Sequence, residues 1–124
     1  MRPTSTELEF LKLLWKESPR TARELHQELE GILQWGYSST RKTLDRMAEK
    51  ALVTVTKEGN VNLFAPQVDK VKTLASFAAD FAKRVFELDG PLPTAMFTGS
   101  KLIDDDEIDQ LEHLLEQLRK EQEQ

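Results

Sequence analysis

Apolar positions recur at helical spacing through the first third of the chain. Leu8, Leu11, Leu14 and Trp15, with Phe10 alongside, follow Thr4, Ser5 and Thr6, which predicts an amphipathic helix with a hydroxyl cap. It should stop near Ser18-Pro19, because the residue before a proline avoids helical geometry. Thr21 stands three residues ahead of Glu24, a capping-box spacing, and Leu25, Leu29 and either Ile32 or Leu33 supply the apolar face of a second helix. Beyond Gly36, a turn signal, Thr40, Leu44, Met47 and Ala51 make the apolar stripe of a third helix, while Ser38, Ser39, Arg41, Lys42, Asp45, Arg46 and Glu49 point elsewhere.

The period then changes to two. Val53 and Val55 alternate with Thr54 and Thr56, the turn signal Lys57-Glu58-Gly59-Asn60 follows, and a second run extends from Val61 to Ala65 before Pro66. Two β-branched runs around a glycine-bearing turn predict a hairpin. From Asp69 the spacing is helical again. Val71, Leu74, Ala78, Phe81, Val85 and Leu88 follow alternating steps of three and four, a heptad seam widened by Phe77 and Phe86. Asp89-Gly90-Pro91 should end that helix, and Leu92 to Lys101 is expected to be loop and a short helix. Asp104 then caps a last helix in which Ile108, Leu111, Leu115 and Leu118 repeat the same steps, with Leu114 beside them. The expected fold is mainly α with a small β-hairpin wing. Residues 1–68 form a winged helix-turn-helix domain and residues 69–124 a helical dimerisation region.

Composition narrows the chemistry. The chain has 124 residues, enough for one domain or a small domain with an appendage, and contains no cysteine, which excludes disulfides, thiolate metal sites and a cysteine nucleophile. No run approaches the ~18 apolar residues of a membrane span, and the start lacks the apolar stretch of a signal peptide, so a cytoplasmic protein is expected. The net charge of -5 is unevenly spread: residues 1–66 carry ten Lys/Arg against nine Asp/Glu, whereas residues 67–124 carry seven against thirteen. The acid belongs to the second half. Within Ser38 to Lys50 the balance is four basic residues to two acidic ones, and a local basic face governs phosphate contact.

A helix that packs on one side and presents small hydroxyls, arginine and lysine on the other suits the major groove of DNA. Ser38, Ser39, Arg41 and Lys42 are the candidates for base edges and nearby phosphates; Arg46 and, at the wing, Lys57 are assigned to the backbone. Val71, Leu74, Ala78, Phe81, Val85, Ile108, Leu111, Leu115 and Leu118 are the candidates for a homodimer seam. Asp104 to Glu107 is a helix start rather than a cation site, since carboxylates there favour the macrodipole, and no metal or cofactor is expected. The chain offers no Gly-rich phosphate loop, no paired histidines and no serine in a nucleophile-elbow setting, which argues against an enzyme. The alternatives are a ligand-gated regulator with a small-molecule site at the dimer helices, or a winged helix used for protein contact.

Taken in order, Leu8 to Trp15, Thr21-Ala22-Arg23-Glu24-Leu25, Trp35 with the basic helix to Lys50, the hairpin ending at Pro66 and the acid-capped leucine helix resemble the penicillinase-repressor (BlaI/MecI) family of bacterial winged-helix repressors. The resemblance implies a homodimer with interlocked C-terminal helices whose winged helices bind a palindromic operator in double-stranded DNA. Where the family often has Trp-Ser-Pro-x-Thr before the reading helix, this chain keeps Trp35 but has Gly36, Tyr37, Ser38 and Ser39; Arg41 and Arg46 match basic positions, and Lys42 stands where threonine is common. Ala51 replaces the usual glycine, so the exit turn is expected to use another geometry. In the β-lactam branch a membrane sensor protease triggers cleavage at an Asn-Phe bond; the aligned Met96-Phe97 lacks the asparagine, which argues against induction by that route. The copper-responsive branch needs C-terminal cysteines, and this chain has none.

Overall fold

A computed structural model describes residues 2–88 and 94–122. The element order is α1 (Ser5–Lys16), β1 (Arg20–Thr21), α2 (Ala22–Glu28), α3 (Tyr37–Glu49), β2 (Val53–Glu58), β3 (Val61–Pro66), α4 (Lys70–Phe86), a 3-10 turn (Thr94–Phe97) and α5 (Asp105–Gln122). Residues 3–68 form one compact unit, and a second begins at Asp69. Among the described residues no helix is long and apolar enough to cross a membrane.

Local chemistry sets the helix starts of the first unit. Thr4 and Glu7 bond reciprocally through side chain and backbone, as do Thr21 and Glu24, so two orphan amides are satisfied at each start. Phe10, Leu11, Leu14, Leu25, Leu44 and Met47 are excluded from solvent, and Leu52, Val53 and Phe64 close the core from the sheet side. The second helix is shorter than predicted, ending at Glu28 with Leu29 as its C-cap, so neither Ile32 nor Leu33 lies on its face; Leu33 still packs on that core from the following loop, whereas Ile32 is 62% exposed. Trp15 packs at the same edge and donates its indole N–H to the Val68 carbonyl at 3.1 Å.

The hairpin forms with a tighter turn than the sequence suggested. Glu58 pairs with Val61, so Gly59 and Asn60 alone make the loop, and Gly59 takes the left-handed φ of 64° at its first position. A third strand was not anticipated: Arg20 and Thr21 pair with Phe64 and Leu63, giving the sheet order β1-β3-β2. Arg20 is itself buried, bonded to the Glu17 carbonyl at 2.8 Å and its carboxylate at 3.1 Å.

Ala51 corrects an expectation. It is exposed rather than part of the apolar stripe, and it adopts φ 62°, the left-handed geometry expected only of glycine. The Ala51 amide bonds the Ala48 carbonyl (3.1 Å) and the Leu52 amide the Met47 carbonyl (2.9 Å). This is the paired closure in which a glycine usually ends a helix.

In the second unit Asp69 caps α4, and Asp104 with Glu107 caps α5. The predicted seam divides. Val71 and Ala75 of α4 meet Leu111 and Leu115 of α5 within the chain, with Ala78, Leu114 and Leu118 around them, and Ile108 is also buried. The α5 stripe is therefore packed against α4 of its own chain. What stays exposed is the far end of α4, Phe81 (48%), Val85 (58%) and Phe86 (56%), and Leu88 (45%) just beyond it, with Leu74 half-buried. The predicted stop at Asp89-Gly90-Pro91 lies outside the described residues, as do Leu92 and Pro93. Phe97 packs against the α4–α5 core and Met96 is exposed.

Candidate nucleic-acid interface

The inner face of α3 is held by apolar contacts and by one buried hydroxyl. Thr40 is fully buried; it accepts the Trp35 indole N–H at 3.0 Å and lies 2.7 Å from His26 Nδ1. The hydroxyl has one hydrogen, so accepting from Trp35 and donating to an unprotonated Nδ1 satisfies all three groups. The His26 ring meets the Tyr37 ring edge-on with centroids 5.6 Å apart, and the Arg23 guanidinium lies 4.7 Å from the centre of the Tyr37 ring. These contacts fix the start of α3 against α2. Gly36, its N-cap, supplies no side-chain cap.

With Thr40, Leu44 and Met47 turned inward, Ser38, Arg41, Lys42, Asp45, Arg46 and Glu49 are exposed. Arg41, Lys42 and Arg46 form no ion pair among the described residues, so their charge is free for an outside partner. Ser39 is half-buried at the flank, its carbonyl accepting from the Thr43 hydroxyl at 2.9 Å. Lys50 does not belong to the free face. Its ammonium bonds both oxygens of Glu7, a buried carboxylate of α1, at 3.0 and 2.9 Å. Burial raises the Glu7 pKa, but the Thr4 amide and the Lys50 ammonium outweigh it and hold the net value below the ordinary glutamate range.

A cleft of about 420 Å³ separates α3 from the wing, lined among others by Arg23, Tyr37, Arg41, Asp45, Asn60 and Asn62. Lys57 sits one residue before the end of β2, exposed and paired in register with Asn62. The first unit thus brings Ser38, Arg41, Lys42 and Arg46 onto one helix face with a concave flank toward the wing. Sequence reasoning passed over Arg23, Tyr37 and Asn62. Their only signal was a basic residue just inside a capping box and an aromatic at the start of the basic helix; their meeting depends on how α2, α3 and β3 pack. Among the described residues no group of histidine and carboxylate side chains is placed to hold a metal.

A family model described as penicillinase repressor matches residues 3–117. The penicillinase repressor of Bacillus licheniformis is 26% identical over 116 residues, 92% of this chain and 89% of that protein. Among solved structures, the chain is similar to the solution structure of Bacillus licheniformis BlaI, monomeric form, in complex with the blaP half-operator. That likeness has a TM-score of 0.50 and 28% identity, over 56% of this chain and 85% of that one.

Proposed function

Since the chain belongs to the penicillinase repressor family of transcriptional regulators, we propose that it represses transcription as a homodimer on a palindromic operator, each protomer laying α3 in a major groove. It is a DNA-binding repressor and not an enzyme. The observation that carries the binding mode is the contrast between the two faces of α3. One is locked inside by Thr40, Leu44 and Met47, and the other presents Arg41, Lys42 and Arg46 without ion-pair partners among the described residues. Side chains kept out of ion pairs can exchange their counterions for phosphates at no internal loss. Ser38, Ser39, Arg41 and Lys42 meet base edges and nearby phosphates, Ser39 only from the flank; Arg46 and Lys57 meet the backbone. The half-operator complex formed by the Bacillus licheniformis relative supports this mode.

Homodimerisation is supported by the end of α4, where Phe81, Val85 and Phe86, with Leu88 just beyond, remain in water in a single chain. Residues 1–68 then serve as the DNA-binding domain and the remainder as the dimerisation region. Two-fold symmetry sets the half-sites about 34–36 Å apart or a multiple of that. Operator binding places the protein with the chromosome, in the cytoplasm. A membrane sensor protease is no part of this proposal, because the Met96-Phe97 bond lacks the asparagine of the β-lactam branch.

Selection from random duplexes followed by a salt titration tests the reading. A two-fold symmetric motif is expected, with affinity falling steeply and linearly in log-log form as salt rises. Absence of duplex binding even in dilute buffer would identify the wing and α3 as a protein-contact surface.

A further inference from the structure

Asp45 stands one turn beyond Arg41 on the exposed face of α3 and lines the cleft toward the wing with Arg41, Asn60 and Asn62. The Asp45 side chain makes no hydrogen bond or ion pair among the described residues, and it lies well past the first helical turn, where a negative charge would have gained from the macrodipole. Aspartate is also a weaker helix former than most residues that could occupy an exposed site. Facing DNA it should be worse still, because a carboxylate repels the phosphates that Arg41, Lys42 and Arg46 attract.

One favourable role is open to a carboxylate on such a face. It accepts hydrogen bonds and cannot donate them. Of the groups that each base itself shows in the major groove, cytosine offers only an amine donor at N4, adenine offers N6 beside its own acceptor N7, and guanine and thymine offer acceptors at O6 and O4. We infer that Asp45 is a specificity-determining residue, exposed on the free face of α3 beside Arg41, which accepts from the N4 amine of a cytosine and repels guanine and thymine. This rests on α3 being the helix that enters the groove. Four residues span about 6 Å along a helix, roughly two base-pair steps of ~3.4 Å. A guanine met by Arg41 and a cytosine met by Asp45 should therefore lie within about two base pairs in each half-site. Glu49, a further turn along, is exposed but outside the cleft lining.

The experiment measures binding of the full chain, Asp45→Ala and Asp45→Asn to duplexes varied one base pair at a time around the selected motif. The original chain should prefer cytosine at one position of each half-site by about ten- to a hundredfold. Asp45→Ala should lose that preference at that position alone while binding random duplex more tightly, and Asp45→Asn should shift it toward adenine, whose N6 and N7 an amide can bond together. An unchanged base profile at every position in both variants, whatever happens to overall affinity, overturns the inference and leaves groove entry by α3 standing. If the original chain shows no sequence preference at all, groove reading fails first and the inference with it.

Discussion

Lys50, the residue that caps the end of α3, donates to both carboxylate oxygens of Glu7 in the first turn of α1. The pair ties the end of α3 to the first turn of α1. Glu7 at the same time accepts the Thr4 amide at 2.9 Å, so one carboxylate closes a helix cap and a tertiary contact.

The depressed pKa of Glu7 fixes the sign of its pH dependence. Its contribution is complete above the unfolded-state glutamate value and is lost as pH falls through the lower folded-state value. Glu7→Gln should cost about 1–3 kcal/mol at pH 7, the scale of a lost charge-assisted bond at a buried site. Urea unfolding at pH 7 and at pH 3 checks this. The gap between the two proteins should narrow at the acid end, and an undiminished gap at pH 3 would show that the carboxylate charge is not its source.

Thr40 holds two polar partners inside the first unit. Thr40→Val keeps the shape but strands the Trp35 N–H and His26 Nδ1, and should destabilise by about 1–3 kcal/mol. Thr40→Ser keeps the hydroxyl and loses one buried methyl, about 0.8 kcal/mol. Denaturation followed by tryptophan fluorescence should rank the original first, serine second and valine last. Valine ranked above serine would mean that the hydroxyl contributes less than its methyl.

Ala51 carries a left-handed conformation at the end of α3. Its strain of roughly 1–2 kcal/mol is partly offset by the ~0.4–1 kcal/mol that alanine saves in unfolded-chain entropy relative to glycine. Ala51→Gly should therefore raise stability, by about 0.5–1 kcal/mol, with an unchanged dependence on denaturant and unchanged operator affinity. A lower urea midpoint for the glycine variant would contradict this account of the turn.

The divided seam separates two substitutions that the heptad pattern alone would treat alike. Leu115 is buried against α4, so Leu115→Asp should disrupt the second unit by about 3–5 kcal/mol, the scale of an uncompensated buried charge. Phe81 is 48% exposed, and Phe81→Asp should keep the helical circular dichroism but sediment as a monomer and lose tight operator binding. A dimer surviving Phe81→Asp would move the interface off the far end of α4.

Arg41 should differ in kind from Arg46 and Lys57, which the proposal assigns to the DNA backbone. Arg41→Ala should cost about 1–3 kcal/mol and relax specificity at one base pair, whereas Arg46→Ala and Lys57→Ala should weaken all sequences alike and lower the salt slope by about one each. A uniform loss for Arg41→Ala would make it a phosphate contact.

Patterns that depend on neighbours in sequence were legible without coordinates. The hydroxyl run Thr4 to Thr6 placed the start of α1 and the capping-box spacing of Thr21 and Glu24 that of α2, the stripe of Thr40, Leu44 and Met47 oriented α3, and strand alternation with Gly59 located the wing, because helix periodicity and turn chemistry act within a few residues. Other features arise only when distant segments meet. Two residues are too short a run to signal β1, which exists because β3 offers it an edge. Lys50 looked like one more free cation until folding set it beside Glu7, and the braced Arg23–Tyr37 pair needs α2 and α3 side by side. The heptad steps marked which residues of α4 and α5 are apolar. Which of them face each other and which stay in water was decided by packing, since periodicity defines a stripe on a helix but not the surface that covers it.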